Sequence, residues 1–131
     1  MGIVEFLEAR IAEDEAVARG VASDGEWTSG STYGMFVSIE ARSWTVVSGE
    51  WERRDANHIA RHDPARVLRE VAAKRAVITQ SREANEYYAH MSGNGRIASM
   101  AAGNVNACAA MLKALASVYD DHPDFSEEWR S

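Results

Sequence analysis

One dipeptide, Asp63-Pro64, constrains the fold of this chain more than any other feature of its sequence. A residue that precedes proline avoids helical backbone angles, and proline suits the first position of a helix, where an N–H would have no partner. Asp63 is therefore expected to cap a helix with its carboxylate, and Pro64 to begin that helix. The predicted helix covers residues 64–91, with a weak point at 79–81.

Apolar residues spaced three and four apart predict two more long helices, over residues 3–19 and 97–119. A shorter helix is expected over 55–62, with Asp55 as its cap. A Ser-Gly-Asn-Gly turn at 92–95 would join the helices on either side into an antiparallel helical hairpin. The apolar stripe of the 97–119 helix comprises Ile97, Met100, Ala101, Asn104, Cys108, Met111, Leu112, Leu115 and Val118.

Residues 23–52 follow a different pattern, with glycines separating stretches rich in Trp, Thr, Val and Tyr. Alternate positions from Tyr33 to Ile39 are apolar or aromatic, as are Trp44 and Val46, and this period of two is typical of half-buried strands. A small hairpin or meander is marginal alone, so it needs helices to pack on. The predicted fold class is α+β: mainly helical, with a small antiparallel β-hairpin or meander packed on three or more helices.

The length of 131 residues fits a single domain covering 1–131, with residues 120–131 as a tail that caps the core. The 46% of hydrophobic and 26% of charged residues are typical of a globular protein. A single cysteine, Cys108, excludes an intramolecular disulfide. No apolar run reaches the length of about 18 residues that spans a membrane, and the acidic N-terminus does not resemble a secretory signal. The expected location is the cytoplasm.

The net charge of −6 is unevenly distributed along the chain. Residues 1–52 and 83–131 carry net charges of −7 and −4, whereas residues 53–82 carry +5. A basic middle between acidic ends predicts pairing within the molecule, and the acidic total disfavours a nucleic-acid partner. The expected pairs join Arg61, Arg66 or Arg69 to Asp120, Asp121 or Asp124.

Two segments resemble the signature segments of a family of small uncharacterised proteins from actinobacteria and their phages: HIARHDPARVLREVAAKR at 58–75 and YDDHPDFSEEWR at 119–130. The sequence EARIAEDEAVAR at 8–19 also fits the opening of that family. The family is a domain of unknown function, so the resemblance implies no activity. It does imply that the 58–75 and 119–130 segments belong to one module, and a phage origin would make a host protein the target.

The histidines form the first candidate site. His58 and His62 are four residues apart and share a face on a helix, and His122 lies beside Asp121 in the acidic tail. Imidazoles and carboxylates bind zinc, so these four residues are candidate metal ligands. The alternative is that the histidines pack at a helix junction and bond to carboxylates or carbonyls. We favour it, because Ile59 stands where a zinc-protease helix carries glutamate.

The basic residues of the middle region form the second candidate site. Arg66 and Arg69 share a helix face, as a set of phosphate contacts would require. A solvated face paired with acids explains the same pattern, and we favour that interpretation. The candidate contacts to nucleic acid or to an acidic partner are Arg61, Arg66, Arg69, Lys74 and Arg82.

Tryptophans supply the remaining candidates. Trp27, Trp44 and Trp51 could form a binding surface on the sheet, although such residues more often cover the core between sheet and helix. Trp129 is expected to anchor the tail on the core, which makes it a structural residue.

The first functional hypothesis is a small cytoplasmic binding or regulatory protein that acts through protein contacts. No phosphate-binding loop, dinucleotide fingerprint or nucleophile elbow is present, so no cofactor is expected. The alternatives are a metal-dependent enzyme that uses the His/Asp cluster and a nucleic-acid-binding protein that uses the basic helix over 61–82. A protein is the expected partner, a homodimer fits the small-residue helix faces, and no membrane partner is expected.

Overall fold

The computed structural model describes residues 1–21, 27–30, 36–39, 45–47, 53–91 and 95–130. The helices are α1 (Ile3–Gly20), α2 (Arg53–Arg61), α3 (Pro64–His90) and α4 (Arg96–Ala116), and the strands are β1 (Trp27–Gly30), β2 (Phe36–Ile39) and β3 (Thr45–Val47). Two 3-10 turns, Ser117–Tyr119 and Glu127–Trp129, follow α4, and we call residues 117–130 the C-terminal segment.

The chain divides into two compact units. The first contains residues 1–12 and 72–131, and the second contains residues 13–71. The helices α1 and α3 each contribute residues to both units, whereas α4 and the C-terminal segment belong to the first unit alone.

The second unit contains a three-stranded antiparallel sheet in the order β1-β2-β3. Trp27 lies opposite Ile39 across β1 and β2, and Val37 lies opposite Val47 across β2 and β3. Both β1 and β2 contact α2, the helix that follows the sheet in the chain. Two of the three tryptophans predicted for this region, Trp44 and Trp51, lie outside the described residues.

The predicted fold class, α+β with a hairpin or meander packed on three or more helices, is wrong. The described residues are predominantly helical, and α3 alone has 27 residues, whereas each strand has three or four. A strand of four residues is about 13 Å long, which is little more than the diameter of one helix. Among the described elements the sheet therefore makes its main contacts with α2 alone, and the protein is a mainly helical one.

The junction between α2 and α3 is stabilised by Asp63. Its Oδ1 accepts a hydrogen bond from the backbone N–H of Arg66 at 2.6 Å, and its carbonyl accepts one from the N–H of Val67 at 3.1 Å. Pro64 is the first residue of α3, and both Asp63 and Pro64 are buried. The side-chain cap satisfies an N–H that the first turn of a helix leaves free.

The start of α2 and the predicted weak point of α3 both differ from the prediction. α2 begins at Arg53, so Asp55 lies inside its first turn and does not precede the helix as a cap would. α3 continues without a break through 79–81. The hydroxyl of Thr79 donates to the carbonyl of Arg75 at 3.1 Å, so the polar side chain is accommodated by a bond to its own helix.

The core of the first unit is centred on α1. Phe6, Leu7 and Ile11 are completely buried, each with 0% exposure. Several of the other buried residues of this unit are small, so much of the bulk of its core comes from α1 and from Trp129. The other buried residues of the first unit include Ile78, Ser81, Ala84, Ala101, Cys108, Leu112, Ala116 and Trp129.

Candidate functional site

The predicted metal ligands do not form a metal site within the described residues. His58 and His62 lie together in the second unit, with ring centroids 4.5 Å apart and both side chains exposed. His122 and Asp121 belong to the C-terminal segment, in the first unit. Nowhere in the described part of the chain do three or more His, Cys, Asp or Glu side chains form a group that could hold a metal ion.

Three of the five predicted basic contact residues have partners within the protein. These contacts join Arg66 Nε to Glu70 Oε1 (2.7 Å), Lys74 Nζ to Tyr119 Oη (2.6 Å) and Arg82 Nη2 to Glu8 Oε1 (2.8 Å). The remaining two, Arg61 and Arg69, are exposed. Much of the positive charge of α3 is thus used inside the molecule, which leaves fewer cations for phosphate contacts than the sequence suggested.

Two of the acidic residues named in the predicted pairs, Asp120 and Asp124, lie near other arginines. Arg130 Nη1 pairs with Asp120 Oδ2 at 3.1 Å, and Arg10 Nη1 lies 3.7 Å from Asp124 Oδ2. Arg61, Arg66 and Arg69 were named as partners because they lie in the most basic stretch of the sequence. Asp120 is instead neutralised by a cation of its own segment, ten residues further along the chain.

Phe6 lies at the centre of an aromatic cluster formed with the C-terminal segment. Its ring centroid is 5.0 Å from that of Trp129, 6.1 Å from that of Phe125 and 6.3 Å from that of Tyr119. The rings of Tyr119 and Phe125 meet it edge-on, an arrangement that the charge distribution of aromatic rings favours. Trp129 is 5% exposed, so its indole closes the core near the end of the chain.

A polar network borders this cluster. Arg10, only 8% exposed, places Nη1 2.8 Å from His122 Nδ1, and the backbone N–H of Asp124 lies 3.1 Å from the same nitrogen. Both neighbours are donors, so Nδ1 accepts and the ring proton of His122 lies on Nε2. The contact between Arg10 and His122 therefore links α1 to the C-terminal segment.

The end of the C-terminal segment is fixed by a two-pronged ion pair. Arg130 donates from Nε to Glu127 Oε2 at 2.8 Å and from Nη2 to Glu127 Oε1 at 3.1 Å. These hydrogen bonds, together with the charge of Arg130, lower the pKa of Glu127 below its ordinary value. The same contacts raise the pKa of Arg130. Because both side chains are exposed to water, the pair fixes geometry more than it adds stability.

One face of α4 leaves large apolar side chains in water. Ile97, Met100, Met111 and Val118 are 62%, 68%, 52% and 64% exposed. At 100° per residue these four positions fall within an arc of roughly 60° around the helix axis. We call this set the α4 apolar stripe, which includes Val118 from the 3-10 turn that continues α4.

The structure divides the apolar face that the sequence predicted for this helix. Ala101, Cys108 and Leu112 are buried, whereas the α4 apolar stripe, roughly a quarter of a turn away, is exposed. Asn104, which falls within the predicted apolar face, is also exposed. Only part of an unusually wide apolar surface is therefore used by the core.

A cavity of about 300 Å³ opens in the second unit beside the start of α3. Val17, Ala18 and Val67 line it, and His62 and Asp14 supply its polar atoms. Most of its lining is aliphatic, so the cavity is a small and largely apolar recess.

Sequence reasoning missed Phe6 and Arg10, the residues of α1 that bind the C-terminal segment. The predicted stripe of α1 followed Leu7 and Ile11, and Phe6 and Arg10 each precede one of these by one residue. Positions i, i+1, i+4 and i+5 together form a wide stripe, which indicates a helix buried on more than a narrow seam. The width of this stripe was the feature of the sequence that could have identified Phe6 and Arg10.

These features define a mainly helical protein whose described residues assemble no metal centre. The chain belongs to the family of unknown function DUF6221, whose family model matches residues 1–131. Comparisons with curated proteins and with solved structures found no match. None of the described helices has the length and apolar character needed to cross a membrane.

Proposed function

We propose that this protein is a small regulatory protein of the cytoplasm that acts through protein contacts. The α4 apolar stripe is the surface that we assign to these contacts. The resemblance of the 58–75 and 119–130 segments to proteins of actinobacteria and their phages supports the same origin for this chain. A phage-encoded member would take a host protein as its target.

The exposure of the α4 apolar stripe is the observation that carries this proposal. Its four large side chains are each more than half exposed. Burying apolar surface contributes about 25 cal/mol per Å², so leaving such a face in water forgoes substantial stabilisation. Exposed large apolar side chains that share one face of a helix favour an interaction site.

The polar groups of the first unit favour binding over catalysis. In the part of the chain that the structure describes, every buried side-chain nitrogen and oxygen has a hydrogen-bond partner. A buried polar group without a partner would need an explanation such as a reactive role. The interior polar groups, such as Arg10 and His122, instead spend their hydrogen bonds on joining segments of the fold.

Nucleic acid is the less favoured partner. Arg66, Lys74 and Arg82 each bond to another residue of the protein, and the net charge of −6 repels phosphate. A gel-shift series with duplex and single-stranded DNA across salt concentrations tests this alternative. Binding at low salt that weakens steeply as salt rises would favour it over protein binding.

Photocrosslinking from the α4 apolar stripe tests the proposed function. Benzoylphenylalanine replaces Met100 in the full chain, which is produced in actinobacterial cells and irradiated. The matched control carries the same group in place of Asn106, which is exposed on another face of α4. We expect protein adducts from position 100 and few or none from position 106.

Two results would contradict protein binding through this surface. One is the absence of any adduct from position 100, and the other is an equal set of adducts from positions 100 and 106. Mass spectrometry of the adducts from position 100 identifies the protein that is bound.

A further inference from the structure

We propose that the occupant of the α4 apolar stripe is a second copy of this chain, with the two α4 helices antiparallel. This inference rests on the proposed function, since it requires the stripe to be a protein-binding surface, and it adds the identity of the partner. It is drawn from the sizes of the residues along the stripe and from the charges at its two ends.

The two ends of the stripe carry side chains of similar size. Ile97 and Val118 stand at its two ends, about 32 Å apart at 1.5 Å per residue. Exposed Asn104 lies on the stripe between Met100 and Met111, and the small exposed residues Gly103, Ala107 and Ala110 lie along one edge of it. A two-fold axis beside Ala107 would set Ile97 of one copy against Val118 of the other.

The small residues let the two helices approach closely at that axis. A Cβ built on Gly103 meets no atom within 4 Å, so the space beside the middle of the helix is open. Helices packed through small residues approach to about 8 Å between axes, at the short end of the usual range. The large side chains at each end would then fill the space on either side of the crossing.

The charges at the two ends select the antiparallel arrangement. Arg96 precedes the stripe and Asp121 follows it, and both are exposed, with no ion pair to any residue that the structure describes. Antiparallel helices set Arg96 of each copy near Asp121 of the other. Parallel helices would set arginine beside arginine and aspartate beside aspartate, which repels.

The other charge of α4 does not interfere with this arrangement. Lys113 Nζ donates to the carbonyl of Glu128 at 2.9 Å, so it is directed to the C-terminal segment of its own chain. One helix face from each copy gives a small interface of roughly 1,000 Å² in total, the size of a weak or transient complex. We therefore expect a Kd of roughly micromolar order and a concentration-dependent mass.

Sedimentation equilibrium of the full chain across concentrations tests the partner. We expect a dimer for the wild type and for Asn106→Glu, and a monomer for Met111→Glu, which places a charge in the stripe. Circular dichroism and thermal unfolding of each variant at low concentration verify that it is folded. A wild type that is monomeric at every concentration, or a dimer that Met111→Glu does not weaken, overturns the inference.

Charge reversal tests the contact between the ends. Arg96→Glu and Asp121→Arg are each expected to weaken the dimer by roughly fivefold, the effect of one exposed ion pair turned into a repulsion. The double variant restores the attraction with opposite signs and should recover most of the affinity. Failure of the double variant to recover affinity contradicts the antiparallel contact.

Disulfide trapping tests the direction of the helices independently. In a Cys108→Ala background, mixing Ile97→Cys with Val118→Cys should give a cross-linked dimer on oxidation, and Ile97→Cys alone should not. Cross-linking of Ile97→Cys to itself would indicate parallel helices and overturn the inference.

The outcomes separate the two proposals. Position-100 adducts that contain only this chain support both. Adducts to another protein, with a monomeric wild type, leave the proposed function standing and remove the second copy as partner. No adducts together with a monomeric wild type remove both.

Discussion

The C-terminal segment and the α4 apolar stripe lie in the same unit and make opposite use of apolar residues. In the C-terminal segment, Trp129 and Phe125 pack on Phe6, and the polar atoms around them are paired. In the stripe, four large aliphatic side chains remain more than half exposed. An apolar residue at helical spacing therefore indicates a surface that favours burial. It does not show whether the same chain or a partner buries that surface.

The largest difference between the two regions is expected from truncating one apolar side chain in each. Phe6→Ala should lower the free energy of unfolding by about 3–5 kcal/mol, since it removes a fully buried ring at the centre of a cluster. Met100→Ala should change it by less than about 0.5 kcal/mol, because that side chain is 68% exposed. Urea denaturation at low protein concentration measures both. Similar losses for the two variants would erase the distinction between these regions.

Arg10→Met is the next test, and it removes the polar link between α1 and the C-terminal segment while keeping an apolar stem. We expect a loss of about 1–3 kcal/mol, because His122 and Asp124 lose the partner that joins them to α1. The control is Arg19→Met, which breaks an exposed pair with Glu15 and should cost less than about 0.5 kcal/mol. If the two substitutions lowered the free energy of unfolding equally, the network around Arg10 would be no more stabilising than an exposed ion pair.

A smaller effect is expected from Tyr119→Phe, which removes the hydroxyl that accepts from Lys74 at 2.6 Å. The ring remains, so the aromatic cluster is kept and the loss should be about 0.5–1.5 kcal/mol. Tyr87→Phe, at an exposed tyrosine, is the matched control and should have almost no effect. Thermal unfolding resolves the two, and an unchanged Tm for Tyr119→Phe would show that this contact does not help to hold α3 to the C-terminal segment.

The smallest effect concerns pH. Because Arg130 lowers the pKa of Glu127, the carboxylate stabilises the fold above its ordinary pKa, about 4.3 for glutamate, and this contribution is lost as pH falls through the lowered value. The Tm of Glu127→Gln should therefore lie slightly below that of the wild type at pH 7 and converge with it below pH 4. Glu128→Gln, at the neighbouring exposed residue, should follow the wild type throughout. A difference that grows on acidification would have the wrong sign.

The sequence predicted helices well where the signal was local. Asp63 and Pro64 restrict their own backbone, and the structure starts α3 at Pro64 with Asp63 bonded to the N–H of Arg66. The helix predicted over 97–119 corresponds to α4 and the 3-10 turn that continues it to Tyr119. In both cases neighbouring residues determine the outcome.

The predictions failed where distant residues decide. The alternating pattern before residue 47 led to a predicted sheet packed on three or more helices, whereas the strands of the described residues have three or four residues each and mainly contact α2, through packing that no local pattern encodes. Likewise, nothing near Phe6 indicates that a segment more than 110 positions later covers it. The metal hypothesis relied on bringing His122 to His58 and His62, and the described residues contain no such group.

The bond between Arg10 and His122 joins residues 112 positions apart, and this separation has a consequence for synthesis of the chain. Ribosomes add roughly 5–20 residues per second, so Phe6 and Leu7 emerge several seconds before Trp129 exists to cover them. Closing such a long loop is slow compared with forming a helix. In the nascent chain, the apolar face of α1 is therefore exposed until the C-terminal segment has been synthesised. We expect chaperones that bind exposed apolar helices to retain the chain until Phe125 and Trp129 leave the exit tunnel.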